Sequence, residues 1–185
     1  MEYLESTGTQ YIDTGVIFTP QYKVIADIEF RRVSTSSADA QHNGFVKATD
    51  SGNYRSIIGF NNGRIQIYVA NLNQNTLDGL LDRHTYIIDL PDKFTSIDNN
   101  RAMIIDTFTG SFTHSFFVFA RNNAGVAELF CYERLYSIQF YDGSVIVRDF
   151  TPVIDWNDEP CMYDKVNNTN FYNAGTGRFL TNEDA

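Results

Sequence analysis

The sequence is short of several things, and each shortage removes a class of protein. It holds only two cysteines, Cys131 and Cys161, too few for the disulfide framework of a small secreted scaffold. They read as buried thiols or as one disulfide, and no histidine stands in a sequence relation to either that would suggest a catalytic thiol. Basic residues are scarce, 14 Lys and Arg against 23 Asp and Glu, for a formal net charge of −9. A nucleic-acid binder releases counterions through Lys and Arg, so nucleic acid and anionic membrane surfaces are excluded as partners. No run approaches the roughly 18 apolar residues that cross a bilayer. The start, Met1 to Ser6, has neither the basic run nor the apolar core of a secretory leader.

Aromatic residues, by contrast, are abundant: 15 Phe, 11 Tyr and a single Trp. Together with the absence of a long polar tract they exclude a mostly disordered chain. At 185 residues the length suits one domain, expected over 1–180, with a short polar tail at 181–185 that is free to fray.

The hydrophobic pattern has a period of two almost throughout. Between Lys23 and Arg31, Val24, Ala26, Ile28 and Phe30 share one face, while Lys23, Asp27, Glu29 and Arg31 share the other. This predicts a half-buried strand of an antiparallel sheet. Two hairpins are expected: 56–60 with 64–69 across Asn61-Asn62-Gly63, whose Asn-Gly step suits a type I′ turn, and 135–140 with 145–150 across Asp142-Gly143. Further strands are expected at 9–13, 41–48, 84–90, 101–106, 115–120 and 127–133. Polar joints fall at 34–40, 71–75, 98–100 and 122–125. No stretch sustains a helical period, so the reading is all-β: an antiparallel β-sandwich of jelly-roll type.

The text at the ends resembles a known family. Glu2-Tyr3-Leu4-Glu5-Ser6-Thr7-Gly8-Thr9-Gln10-Tyr11-Ile12-Asp13-Thr14-Gly15 is similar to the first strands of laminin G-like, concanavalin A-like jelly rolls of gut bacteria and their phages. Phe119-Ala120-Arg121-Asn122 resembles that family's inner-strand text, as does the stretch from Arg134 to Pro152. Pro160 to Val166, followed by Phe171-Tyr172-Asn173-Ala174-Gly175-Thr176-Gly177, resembles its C-terminal signature. The resemblance implies a concanavalin A-like sandwich whose terminal segments pair. The Gly175-Thr176-Gly177 turn would then bring Phe179 back onto the sheet. With Met1 just before the first such strand, it also implies a stand-alone module.

Catalytic geometry is hard to find. The glucanases of this class carry a Glu-x-Asp-x-x-Glu strand with paired carboxylates on one face, and nothing here matches it. Asp27 and Glu29 share a strand face, but an outer row paired with Lys23 or Arg31 explains them. A regular strand through Glu128 and Glu133 would send the two to opposite faces. His42, His84 and His114 fit no zinc spacing, and no Gly-x-Ser-x-Gly elbow is present. No catalytic residue is expected.

Glycan binding needs an aromatic platform for C–H faces and planar amides or carboxylates for hydroxyls. Trp156 stands in a polar, acidic loop, which suits exposure. It is the first ligand-binding candidate, with Arg121, Asn122 and Asn123 in a second loop and Asn61 and Asn62 in a third. Packing of Trp156 over the sandwich edge is the competing reading, and the 17 asparagines are also what turns use. Oxygen ligands for calcium are conceivable at Asp155, Asn157 and Asp158, and less so at Asp50 or 98–100, although none forms an EF-hand loop.

The expectation is a non-catalytic binding or decoration module on a phage virion, or alternatively on a bacterial cell surface. Its partners would be a glycan or other virion or surface proteins, and a homo-oligomer is compatible with that. A purely structural virion subunit and an endo-glycosidase are the alternatives.

Overall fold

The computed structural model describes the backbone of residues 1–31, 43–50, 53–61, 64–69, 72–78, 82–104 and 112–184. Side chains are described for 1–31, 82–100 and 112–184. His42, Asn62 and the joint at 34–40 lie outside the described residues. The fold is an all-β sandwich of jelly-roll type, with no helix among the described residues and so none long and apolar enough to cross a membrane.

Strands are numbered in chain order. One sheet holds β1 (Leu4–Glu5), β3 (Tyr22–Phe30), β8 (Arg83–Asp89), β9 (Phe94–Ile97), β10 (Asn100–Ile104), β14 (Glu133–Asp142), β15 (Val145–Ile154), β16 (Pro160–Asp164) and β17 (Thr169–Phe171). Its order is β10-β9-β8-β3-β14-β15-β16-β17, with β1 beside β14. The other sheet holds β2 (Ile12–Asp13), β4 (Asn43–Asp50), β5 (Asn53–Asn61), β6 (Arg64–Val69), β7 (Leu72–Asp78), β11 (Phe117–Val118), β12 (Arg121–Asn123) and β13 (Val126–Glu128). It runs β13-β12-β4-β5-β6-β7, and β11 pairs with both β4 and β2. Among the described residues every pairing is antiparallel except one: β12 runs parallel to β4, Arg121 opposite Lys47.

The alternation read for β3 holds: Val24, Ala26, Ile28 and Phe30 enter a core shared with Ile12 and Val118 of the other sheet. On β14 the register shifts between Leu135 and Ser137. Leu135 and Ile138 stay buried while Tyr136 and Ser137 both face outward, as a bulge allows. The β14–β15 hairpin closes through Gly143-Ser144, with Gly143 at φ +59 in the first central position, as a type II′ turn requires.

Several expected elements differ. The strand read at 115–120 stops at Val118, because Phe119 takes φ +71 and turns the chain back along β4 as β12. The strand read at 127–133 breaks at Leu129, φ +51, so Glu128 and Glu133 sit on different strands. Of the asparagine-rich joint read at 71–75, Asn71 lies outside the described residues and 72–75 fall within β7. There, hairpin pairing with β6 (Val69 opposite Leu72, Tyr68 opposite Asn73) overrides weak strand propensity. The 122–125 joint is a turn, centred on Ala124-Gly125, with φ +50 and +93.

The ends pair. Glu5 and Leu180 exchange backbone hydrogen bonds of 2.8 and 3.0 Å, and the amides of Ala174 and Thr176 donate to the carbonyls of Tyr11 and Thr9. Phe179 returns to the core against Phe119, with ring centroids 5.2 Å apart. The polar stretch beyond it is tied down too: Thr181 is buried, and its amide and hydroxyl both donate to Asp184 at 2.9 Å.

Candidate functional site

Strands β15 and β16 pair up to Ile154 opposite Pro160, leaving residues 155–159 as the connecting turn. Asp155 organises it as aspartate does in turns, by accepting from its own backbone. Its Oδ1 accepts the amides of Asn157 at 2.8 Å and Glu159 at 2.9 Å. Its backbone amide donates to the Glu159 carbonyl and its carbonyl accepts from the Asp158 amide. Asp158 takes φ +61, a conformation aspartate tolerates better than most residues.

With the turn fixed in this way, the indole of Trp156 is presented outward and is 88% exposed. Packing over the sandwich edge, the competing reading, does not occur. A second ring stands nearby. Tyr172 follows edge strand β17, is 46% exposed, and donates its hydroxyl to Asp155 Oδ2 at 2.9 Å. The Asn170 amide donates to the same hydroxyl at 3.3 Å. One carboxylate therefore anchors both the Trp156 turn and the Tyr172 ring. The Glu159 amide, helped by Asn157 and the Tyr172 hydroxyl, outweighs partial burial and holds Asp155 below the usual carboxylate range. It stays ionised at neutral pH.

Tyr172 and Asn170 were not singled out by sequence. The available signal was alternation: Phe171 packs inward against Phe150 at 5.0 Å, so its neighbour must point out.

The other candidates are placed differently. Asn122 is 3% exposed, and its amide donates to the Ser115 carbonyl and accepts from Gly125, closing the Ala124-Gly125 turn. Arg121 is ion-paired with Glu128 across the β12–β13 ladder. Asn123 is the exposed member of that loop. Asn61 ends β5, with only its backbone described. The structure thus brings Asp155, Trp156, Asn157 and Asp158 together on one turn, apart in sequence and strand order from 121–123.

Of the calcium candidates, Asp155 uses both carboxylate oxygens as acceptors, Oδ1 from the amides of Asn157 and Glu159 and Oδ2 from the Tyr172 hydroxyl. No three His, Cys, Asp or Glu side chains gather as a metal site among the described residues.

The carboxylates of β3 are engaged in ion pairs on the outer face. Asp27 is held in a two-pronged pair by Arg83, at 2.9 and 2.8 Å. Glu29 takes Arg31 at 2.6 Å, the Tyr136 hydroxyl at 2.8 Å and Arg134 at 3.4 Å. Burial raises Glu29, but these bonds outweigh it and leave its carboxyl below the ordinary range. Arg31 is a partner the sequence indicated. Lys23 instead lies over the Tyr141 ring, and Arg83, from β8, is the partner that spacing could not reveal. His84 sits 2.5 Å from Asp98, and His114 beside Thr113. Cys131 and Cys161 are both buried thiols and are not joined to each other.

No protein-family model matches the chain, and no curated protein sequence does. Among solved structures it is similar to the crystal structure of a protein from Bacteroides ovatus, provisionally named as carbohydrate-binding. The TM-score is 0.61 at 10% identity, over 98% of this chain. The chain spans 60% of the length of that protein. The likeness is one of fold.

Proposed function

We propose that this chain is a non-catalytic glycan-binding module and that Trp156 is its stacking platform. The observation that carries the reading is a fully presented indole on a turn that its own aspartate immobilises. Leaving a large apolar ring in water gains a fold nothing, whereas a sugar's C–H face recovers that surface on binding. Preorganisation lowers the ordering cost of doing so. Asn157, exposed beside the ring, supplies an amide for hydroxyls. The provisional name of the Bacteroides ovatus protein supports the same class of ligand. Asp27 and Glu29, the nearest approach to a glycosidase pair, are held in ion pairs with Arg83, Arg31 and Arg134, which supports a non-catalytic reading. The sequence resemblance at both ends supports a setting on a phage particle or on the surface of a gut bacterium.

A glycan array that includes polysaccharides of gut bacteria tests this. Binding is expected, Trp156→Ala is expected to abolish it, and chelation with EDTA is expected to leave it unchanged. A blank array with the protein multimerised for avidity would overturn the reading and favour a structural subunit that acts through protein contacts. Loss on chelation would restore calcium to the site.

A further inference from the structure

The turn that presents Trp156 is rich in carboxylates. Asp155, Asp158 and Glu159 lie within three positions of the indole, and no Lys or Arg occurs between Asp149 and Asp164. The cation bonded to this turn is Arg178, whose Nη2 donates to the Asp158 carbonyl at 3.4 Å. Its charge is already answered by Asp184, at 3.0 and 3.1 Å from Nη1. The field of these carboxylates reaches beyond the turn: burial, then Asp155 and Glu159, push the Cys161 thiol up to about 11. The hydrogen-bonded Asp155 cannot swing away, so its charge is fixed beside the ring.

We propose that the Trp156 site selects uncharged glycans: the Trp156 and Tyr172 rings supply the stacking surface, and the carboxylates around them turn away uronate-bearing, sialylated and sulfated chains. This rests on the glycan-binding reading and adds the class of ligand. Stacking itself is indifferent to charge. Like charges brought together across an interface suppress the wrong partner and slow its encounter, so discrimination falls to the carboxylates.

The test is affinity electrophoresis and calorimetry of the full chain against neutral polymers (β-glucan, galactomannan, xylan) and anionic ones (polygalacturonate, heparin), at low and high salt. Neutral polymers are expected to bind with little salt dependence, and anionic ones to be excluded at low salt. The double variant Asp158→Asn, Glu159→Gln should leave neutral binding intact. It should raise affinity for polygalacturonate about fivefold at low salt, as two charges roughly 8 Å from the ligand in water would give, an effect that fades as salt screens it. Asparagine tolerates the φ of +61 at position 158, so the variant keeps the turn. Anionic polymers binding as tightly as neutral ones to the wild-type chain would overturn the selectivity and leave the binding module standing. Binding of neither class would overturn both readings, and neutral binding unaffected by Trp156→Ala would move the site elsewhere.

Discussion

Asp155 shows how one side chain can set a surface. Its two oxygens face opposite ways, one into the turn that lifts Trp156 and one to the hydroxyl of Tyr172. The strand pair beneath it is sealed by Cys161, whose thiol burial and the nearby carboxylates push up to about 11. A thiolate is the reacting species, so at pH 8 Cys161 is expected to be inert in the native state. Cys131 is fully buried and out of reach of a solvent-borne reagent. Titration with a chromogenic disulfide should find no rapid thiol in the folded protein and two on unfolding; a fast native thiol would show that the packing around Cys131 or Cys161 opens. Trp156 was legible from its neighbours, since a tryptophan among acidic residues has no apolar wall to enter. Asn122 was not, because its amide is consumed by Ser115 and Gly125 only after the chain has turned back on itself.

At the scale of elements, alternation disclosed β3 to within a residue at each end, because it buries one face on the shared core and a slip of one position would expose it; β14 extends two residues beyond the reading at both ends, and β15 runs on from Phe150 to Ile154. What it missed are strands of the second sheet interrupted by left-handed residues. Phe119 at φ +71 and Leu129 at φ +51 are bulky side chains in a region that local preference disfavours; packing holds Phe119 there, with its ring against Phe179. Such a break is invisible to a period-two reading. Ala124 is a milder case, at φ +50 in a two-residue loop that favours asparagine before glycine. Ala124→Asn should therefore stabilise the protein by about 1 kcal/mol, the usual cost of a left-handed alanine. The denaturant midpoint should rise with an unchanged slope; no rise would mean that another contact of the turn already offsets the strain.

For the molecule as a whole, the decisive contact is between its ends. Residues 173–180 lie against residues 5–11, and a Cβ at Gly175 would stand 2.1 Å from the Thr9 carbonyl oxygen. The family resemblance of the text at both termini implied this join, although the fit of Gly175 needed coordinates. Gly175→Ala forces two backbones apart, and overpacking of this kind costs roughly 1–3 kcal/mol. For a chain of this size that corresponds to a fall in Tm of roughly 2–12 °C. A single transition shifted as a unit is expected by calorimetry. An unchanged Tm would mean that the terminal strands separate without loss to the core.

The protein also carries its own optical reporter. Trp156 is its one indole, and it meets water in the folded state almost as fully as it would in a denatured chain. Its emission should already be that of a solvated indole, nearly blind to denaturation. A molecule laid over the ring, by contrast, changes the solvent it sees. Fluorescence that conventionally follows folding here follows occupancy, and folding must be read from the eleven tyrosines instead.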